Sequence, residues 1–471
     1  MNEKCQVFTP SNYVEELLNS VGYVKNLYGK KILENSCGDG NILTVVVQRY
    51  IDDGRRHGLS DTEIRKGLEN DVYGIEIDPE QYRKCIDNLN RISNEKGLVQ
   101  INWNIINCNY LEWRTEIKFC YVVGNPPYIT YKELDDIERK YVKENFITCG
   151  KGKFDYCYAF IEKSIDSLEN IGKMAYLIPS SIFKTVFGEK LRQYMQPYIT
   201  EIKDYTQEKL FDNALVKSSI MILDRNRKGK ELHYIDMMQG TNINISMDSM
   251  GKKWFFTNDL GGGSHRFGDY YRVSHVVATL LNEAFVLKQE DCIETEEFIQ
   301  CRNHNIEKEI VRQTATPRSL RYNKVERIIF PYSYTEEGIA RFEEKEFMRK
   351  FPGATAYLQE FKKKLDRRKK DKNAKWFEYG RSQALVGLNR EKLLISTIIT
   401  ENVVVNRIFK ECIPYAGMYI VARESGSEYT LDKAVEILES REFMQYILDV
   451  GIHISGSSLR ITSKDIENYR F

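Results

Sequence analysis

An excess of either charge is missing from these 471 residues: 69 Lys and Arg stand against 68 Asp and Glu. A chain so balanced is no polycation, and any hold on an anionic polymer must come from local charge asymmetry. Long apolar runs are missing too. None approaches the ~18 residues that suggest a membrane-spanning helix, and the opening MNEKCQVFTP has no apolar signal core. The expectation is a cytoplasmic protein with no membrane contact. Histidine is scarce, at six, and forms no HExxH-like pattern, so no metal site is expected. The ten cysteines, Cys5 to Cys412, are scattered without a CxxC pair, which predicts reduced thiols in a chain too long to need disulfide staples. Tyrosine (30) and phenylalanine (22), by contrast, are plentiful, which suits cores and stacking surfaces alike.

Residues 1–228 alternate between helical and strand-like patterns. Val14, Leu17, Leu18 and Val21 fall at helical spacing. A short apolar run ending at Glu34 meets a turn, Asn35 to Gly40, and then a helical stretch. Asp52 to Asn70 suggests an inserted helix with polar flanks. Strands are predicted over Val72–Ile77, Gln100–Ile106, Phe119–Gly124, Lys173–Pro179, Glu201–Tyr205 and Ser218–Asp224. Strands alternating with helices predict an α/β fold whose mostly parallel sheet is covered on both faces. The polar stretch Asp224 to Lys230 is expected to be a linker, followed by a second domain, 229–471, of mixed strands and helices.

Two constellations carry chemistry. The first is Glu34-Asn35-Ser36-Cys37-Gly38-Asp39-Gly40. A strand ends in an acid, and a small-residue turn opens a helix whose N-terminus favours an anionic group. After the next strand Glu76 stands where a carboxylate accepts both hydroxyls of a ribose, with Asp78 as a fallback. The 36 residues from Gly40 to Glu76 exceed the ~20 of a dinucleotide fold, which favours another adenosine-bearing ligand. A plain strand-turn-helix joint gives the same pattern. The second constellation, Asn125-Pro126-Pro127-Tyr128, is the more informative. Its prolines remove two donors and fix φ. What remains is an array of acceptors with an aromatic ring behind it, suited to a planar group bearing NH₂.

With these residues the chain resembles the gamma-class (TaqI-like) amino-methyltransferases of DNA over about residues 7–228. Thr9-Pro10 matches the Thr-Pro before the family's first helix. Glu34, Ser36, Cys37, Gly38 and Gly40 match its S-adenosylmethionine turn, Glu76 its ribose acid, and Ile77 the apolar residue against the cofactor adenine. Asn109-Tyr110 falls where the family has Asp followed by an aromatic, so Asn109 offers an amide oxygen in place of a carboxylate. Asn125-Pro126-Pro127-Tyr128 is the catalytic motif: Asn125 and the Pro126 carbonyl take the target amine and Tyr128 stacks on the base. Asp155 to Phe160 resembles the next motif, and Phe211 stands where a second aromatic covers the other face of the base.

The resemblance implies a class I methyltransferase fold: a doubly wound, seven-stranded, mostly parallel sheet in 1–228, with an α+β target-recognition domain in 229–471. It implies S-adenosylmethionine as cofactor and double-stranded DNA as partner, bound in the cleft between the domains. The expected reaction is site-specific methylation of the exocyclic amine of adenine by base flipping and in-line displacement, in a restriction-modification or related defence system. A monomer is expected, with any restriction endonuclease on a separate chain. Methylation of a protein glutamine or an RNA amine is the alternative. The block Lys362 to Lys375 has nine basic and two acidic side chains, with Trp376, Phe377 and Tyr379 following. Lys363, Arg367, Arg368 and Arg381, with Arg318 and Arg321 upstream, are the candidate DNA contacts. A solvated helix face is the competing reading.

Overall fold

The computed structural model describes residues 9–205, 218–238, 240–256, 263–335, 338–424, 428–455 and 457–471. The chain forms two compact units, Met1–Asn258 and Asp259–Phe471. No helix among the described residues is long and apolar enough to cross a membrane.

One sheet organises the first unit. Its strands are β1 (Ile32–Glu34), β2 (Val72–Glu76), β3 (Asn104–Asn107), β4 (Phe119–Gly124), β5 (Leu168–Pro179), β6 (Ile199–Asp204), β7 (Ser218–Asp224), β8 (Glu231–Asp236) and β9 (Asn242–Ser246). They lie in the order β3-β2-β1-β4-β5-β7-β6-β8-β9. The first five run parallel, and β7 is antiparallel between β5 and β6. Side-chain alternation fills two cores. Ile32, Tyr121 and Val123 point to one face, where α1 (Ser11–Val21), α2 (Asn41–Arg56), α3 (Asp61–Asp71) and α4 (Pro79–Glu95) bury their apolar stripes. Leu33, Val122 and Tyr176 point to the other, under α5 (Asp136–Asn145), α6 (Cys157–Ser167) and α7 (Glu189–Met195). The chain winds outward from β1 to β3 and returns to β4 on the opposite side. The carboxyl ends of β1 and β4 therefore flank the switch point where such sheets bind ligands.

Two expectations are corrected here. The sheet has nine strands, not seven, because β8 extends it in parallel with β6 and β9 closes the edge. The unit also ends near 258, not 228. The polar stretch after β7 is bonded into the fold and does not link domains: Arg225 Nη1 donates to the Ile165 and Leu168 carbonyls at 3.0 and 2.9 Å, and Arg227 to those of Gln196 and Glu231. Leu232 and Tyr234 on β8 then join the second core with Trp254.

The second unit is α+β, as expected. One four-stranded sheet is made of Tyr271–His275, Met418–Ala422, Lys392–Ile395 and Val405–Ile408. Another is made of Val286–Lys288, Glu326–Ile329, Val311–Ala315 and Ile413–Pro414, with short helices around them. Cys292 and Cys301 form a disulfide, contrary to the expectation of thiols throughout. They face each other in adjacent antiparallel strands, a pairing that depends on register and leaves no mark in their spacing.

Candidate functional site

The turn after β1 is built for close approach. Gly38 and Gly40 take left-handed conformations, with φ of 53° and 85°. A Cβ on Gly40 would lie 2.7 Å from Cys85 Sγ, so both backbone and space demand glycine there, whereas Gly38 faces open space. Gly40 precedes α2, whose first turn has no side-chain cap. Glu76 ends β2 with both carboxylate oxygens engaged: one accepts from Gly38 N and the other from Asp78 N, each at 2.8 Å. These bonds fix the carboxylate against the turn, and each oxygen retains a lone pair. Ile77 beside it is 42% exposed. Asp78 serves elsewhere, capping α4 through Glu80 N and Gln81 N at 2.8 and 3.1 Å.

Asn125 to Tyr128 follow β4 directly, and β4 lies beside β1 with Glu34 level with Val123. This register brings the two constellations together: Ser36 Oγ donates to the Asn125 carbonyl at 3.1 Å. Asn125 Nδ2 reaches Thr9 Oγ1 at 3.4 Å, and the Thr9 carbonyl accepts from Asn41 at the start of α2. Thr9-Pro10, the glycine turn and Asn125 thus meet. The Tyr128 hydroxyl donates to the Leu177 carbonyl of β5 at 2.9 Å, which anchors the ring by its far end. Burial holds that hydroxyl well above the usual tyrosine range. Phe211 lies outside the described residues.

Charge is desolvated around the turn. Burial pushes Glu34 well above the usual carboxylate range, with Cys85, Glu76 and Asp39 adding to it. Asp39 is raised chiefly by burial as well. Glu34 Oε2 and Asp39 Oδ1 are buried with no hydrogen-bond partner among the described residues. Beside the Asn-Pro-Pro-Tyr loop, burial raises Asp155 to about 6. Thr130 pairs with Asp155, and Tyr156 N donates to the Ile129 carbonyl at 2.9 Å, so this segment runs alongside the loop, while Asp155 Oδ1 accepts from Cys157 N at 3.3 Å.

Several candidates are placed otherwise than expected. Asn109 folds its amide into its own turn, accepting from Leu111 N and donating to Glu112, both at 3.0 Å. Tyr110 is turned into the core, its hydroxyl 3.1 Å from Ser164 Oγ. Ser164, Tyr176 and Asn35 form one buried polar cluster: Asn35 Nδ2 donates to Ser164 Oγ at 2.7 Å and to the Tyr176 hydroxyl. The cluster ties the glycine turn to α6 and β5. Nothing in the sequence marks it, since single polar residues on apolar faces look incidental. In the basic block, Arg368 uses four of its five N–H groups on the carbonyls of Thr279, Leu365, Trp376 and Glu378, which makes it a structural clamp. Arg381 pairs with Asp371 at 2.9 Å, and Trp376, Phe377 and Tyr379 are buried. Lys363, Arg367, Arg318 and Arg321 are exposed.

The strand order, the antiparallel β7 and the paired loops after β1 and β4 define a class I S-adenosylmethionine-dependent methyltransferase fold. Residues 26–211 match the family model described as Eco57I restriction-modification methylase. The chain is 32% identical over 202 residues to "Type II methyltransferase M.BstVI" of Geobacillus stearothermophilus, covering 40% of this chain and 36% of that one. It is 26% identical over 384 residues to "Type II restriction enzyme and methyltransferase RM.Eco57I" of Escherichia coli, covering 69% and 37%. It therefore spans little more than a third of either relative. Among solved structures, the type IIL restriction-modification enzyme MmeI in complex with DNA superposes with a TM-score of 0.61 at 15% identity, over 97% of this chain and 65% of that one.

S-adenosylmethionine is the cofactor this fold implies, and the residues fit it. Glu34 and Asp39 offer unpartnered buried acceptors for its ammonium. Glu76 has lone pairs for the ribose hydroxyls, Ile77 an exposed apolar face for the adenine, and Gly38 the open space to admit both.

Proposed function

We propose that this chain methylates the exocyclic amine of adenine at a specific sequence in duplex DNA, as the modification activity of a restriction-modification system. The observation that carries this reading is the Asn125-Pro126-Pro127-Tyr128 loop, held by Ser36 against the glycine turn at the sheet's switch point. S-adenosylmethionine held by Glu34, Asp39 and Glu76 would supply an electrophilic methyl group, with the C–S electron pair remaining on the sulfur. The protein's part is positioning and electrostatics. The Asn125 side-chain oxygen and the Pro126 carbonyl accept the two amine hydrogens, which directs the nitrogen lone pair at the methyl carbon. Tyr128, fixed through Leu177, presents its ring to the base. Asn125 is neutral and takes no proton, so the extra proton on the methylated amine passes to water. The base leaves the duplex to reach this loop, and stacking on Tyr128 contributes ~1–3 kcal/mol toward holding it. Lys363, Arg367, Arg318 and Arg321 supply phosphate contacts from the second unit, which acts as the target-recognition domain.

The test uses labelled S-adenosylmethionine, unmethylated duplex DNA and digestion to nucleosides. Label in methylated adenine, reduced about 10²-fold or more by Asn125→Ala with cofactor binding retained, is the expected result. Label in methylated cytosine would replace adenine as the target, and label in protein or RNA alone would overturn the DNA reading.

A further inference from the structure

Past the carboxyl end of β5 the chain makes a tight turn whose tip is apolar and open to solvent. Val186 is 60% exposed and Phe187 44%. Exposed apolar tips are ordinary on mobile loops, but this one is braced. Arg192, buried, donates to the carbonyls of Ile182 at 2.6 Å, Thr185 at 2.9 Å and Lys252 at 2.7 Å, which clamps both ends of the turn. The Tyr158 hydroxyl lies 3.0 Å from Thr185 Oγ1. A Cβ on Gly188 would meet Arg192 Nη1 at 2.5 Å, so the turn closes only with glycine there.

The Phe187 ring rests on a second glycine. Gly152 has φ of 79°, and a Cβ there would lie 2.2 Å from Phe187 Cδ1. Lys151 and Lys153, on either side of Gly152, are exposed, as is Lys190, and among the described residues no acid pairs with any of the three. The tip is also close to the reactive loop: Asp155, three residues beyond Gly152, is bridged to Thr130, two residues beyond Tyr128. Three residues, the width of one bridge and two more residues span at most ~22 Å, so ring and loop lie within about six base steps.

We propose that Val186 and Phe187 are an apolar wedge that enters the duplex stack beside the extruded base, with Lys151, Lys153 and Lys190 on the flanking phosphates. This rests on the DNA reading above. The chemistry is complementary at each point. A gap left by a flipped base exposes two apolar ring faces, which a rigid apolar tip covers without needing hydrogen bonds, and unpaired lysines take the adjoining backbone. A braced tip loses little freedom on insertion, which favours wedging over a mobile loop of the same composition.

The experiment follows single-turnover methyl transfer by the full-length chain on duplexes carrying the site mapped from DNA modified by the wild-type protein. One duplex is matched, and the other has an abasic position opposite the target, which makes extrusion easy. Phe187→Ala is expected to slow transfer about tenfold or more on the matched duplex and to stay within about twofold of wild type on the abasic one, because only extrusion is impaired. Phe187→Leu should retain most activity on both. S-adenosylmethionine binding, by calorimetry, should be unchanged in either variant. An equal loss on the two duplexes would show a structural role, such as packing against another part of this chain, and would overturn the wedge. So would full activity of Phe187→Ala on matched DNA. Failure of the wild-type protein to label any DNA would instead sink the parent reading, so the two failures are distinct.

Discussion

Burial raises three carboxyls in and beside the site, Glu34, Asp39 and Asp155, and the first and last each carry a prediction. Burial raises Glu34 well above the usual carboxylate range. An ammonium arriving beside it favours the carboxylate, so its value falls on binding and a proton is released. Calorimetry of S-adenosylmethionine binding at pH 7, in buffers of different ionisation heat, should report that release. Glu34→Gln should abolish the buffer dependence, and an unchanged dependence would exclude Glu34 as the source. Asp155 sits at about 6 in the folded protein against ~3.9 unfolded. The folded state therefore binds its proton more tightly. The contribution of Asp155 to stability is most favourable below pH 4, falls between pH 4 and 6, and carries the full penalty above. Asp155→Asn should raise stability at pH 7.5 by up to ~3 kcal/mol and leave it unchanged near pH 4, as measured by denaturant unfolding. At this scale the sequence is uneven. Gly38, Gly40, Glu76 and Asn125 stand in motifs whose spacing dictates their place. Asn109, Tyr110 and Arg368 do not, because whether an amide, a phenol or a guanidinium faces a ligand or its own fold depends on carbonyls and hydroxyls far off in the chain.

The elements were easier to read than the residues they present. β4 and β7 have the bounds their apolar runs predict, since a strand buried on both faces leaves a continuous hydrophobic signal. β3 starts four residues later than expected and β5 five residues earlier, at ends where polar residues leave only hydrogen bonding to decide. β8 and β9 leave little signal because, at the margin of the sheet, apolar residues alternate with polar ones in both strands. The joint between β1 and α2 is the most constrained element in the site. Gly40→Ala there needs a left-handed alanine and forces a methyl into Cys85 Sγ. It should cost about 2 kcal/mol or more of stability and weaken cofactor binding, whereas Gly38→Ala, with open space before it, should keep the fold and lose mainly cofactor affinity. Thermal unfolding with and without S-adenosylmethionine distinguishes the two. Equal stability losses would mean that crowding by Cys85 is not what separates them.

For the molecule as a whole, near-zero net charge makes the distribution of charge decisive. Lys363→Ala combined with Arg367→Ala should leave the melting temperature unchanged, and the slope of log affinity for DNA against log salt should shrink by about one per contact removed. Arg368→Ala should unfold the second unit more readily, because four carbonyls lose the guanidinium that joins them. A salt slope unaltered by the double substitution would remove both residues from the interface. The nine-stranded sheet has a different consequence, for recombination between genes. A crossover placed at residue 228, where the sequence changes character, would deliver a catalytic half whose β6 lacks its neighbour and lies open along its hydrogen-bonding edge, a template for pairing between chains. One placed near residue 258 carries β8, β9 and Trp254 with the half that needs them. Hybrids that trade one second unit for another should stay in solution when spliced at the second point and aggregate when spliced at the first. If chains of this fold diversify by exchanging second units, successful exchanges should fall at the later boundary.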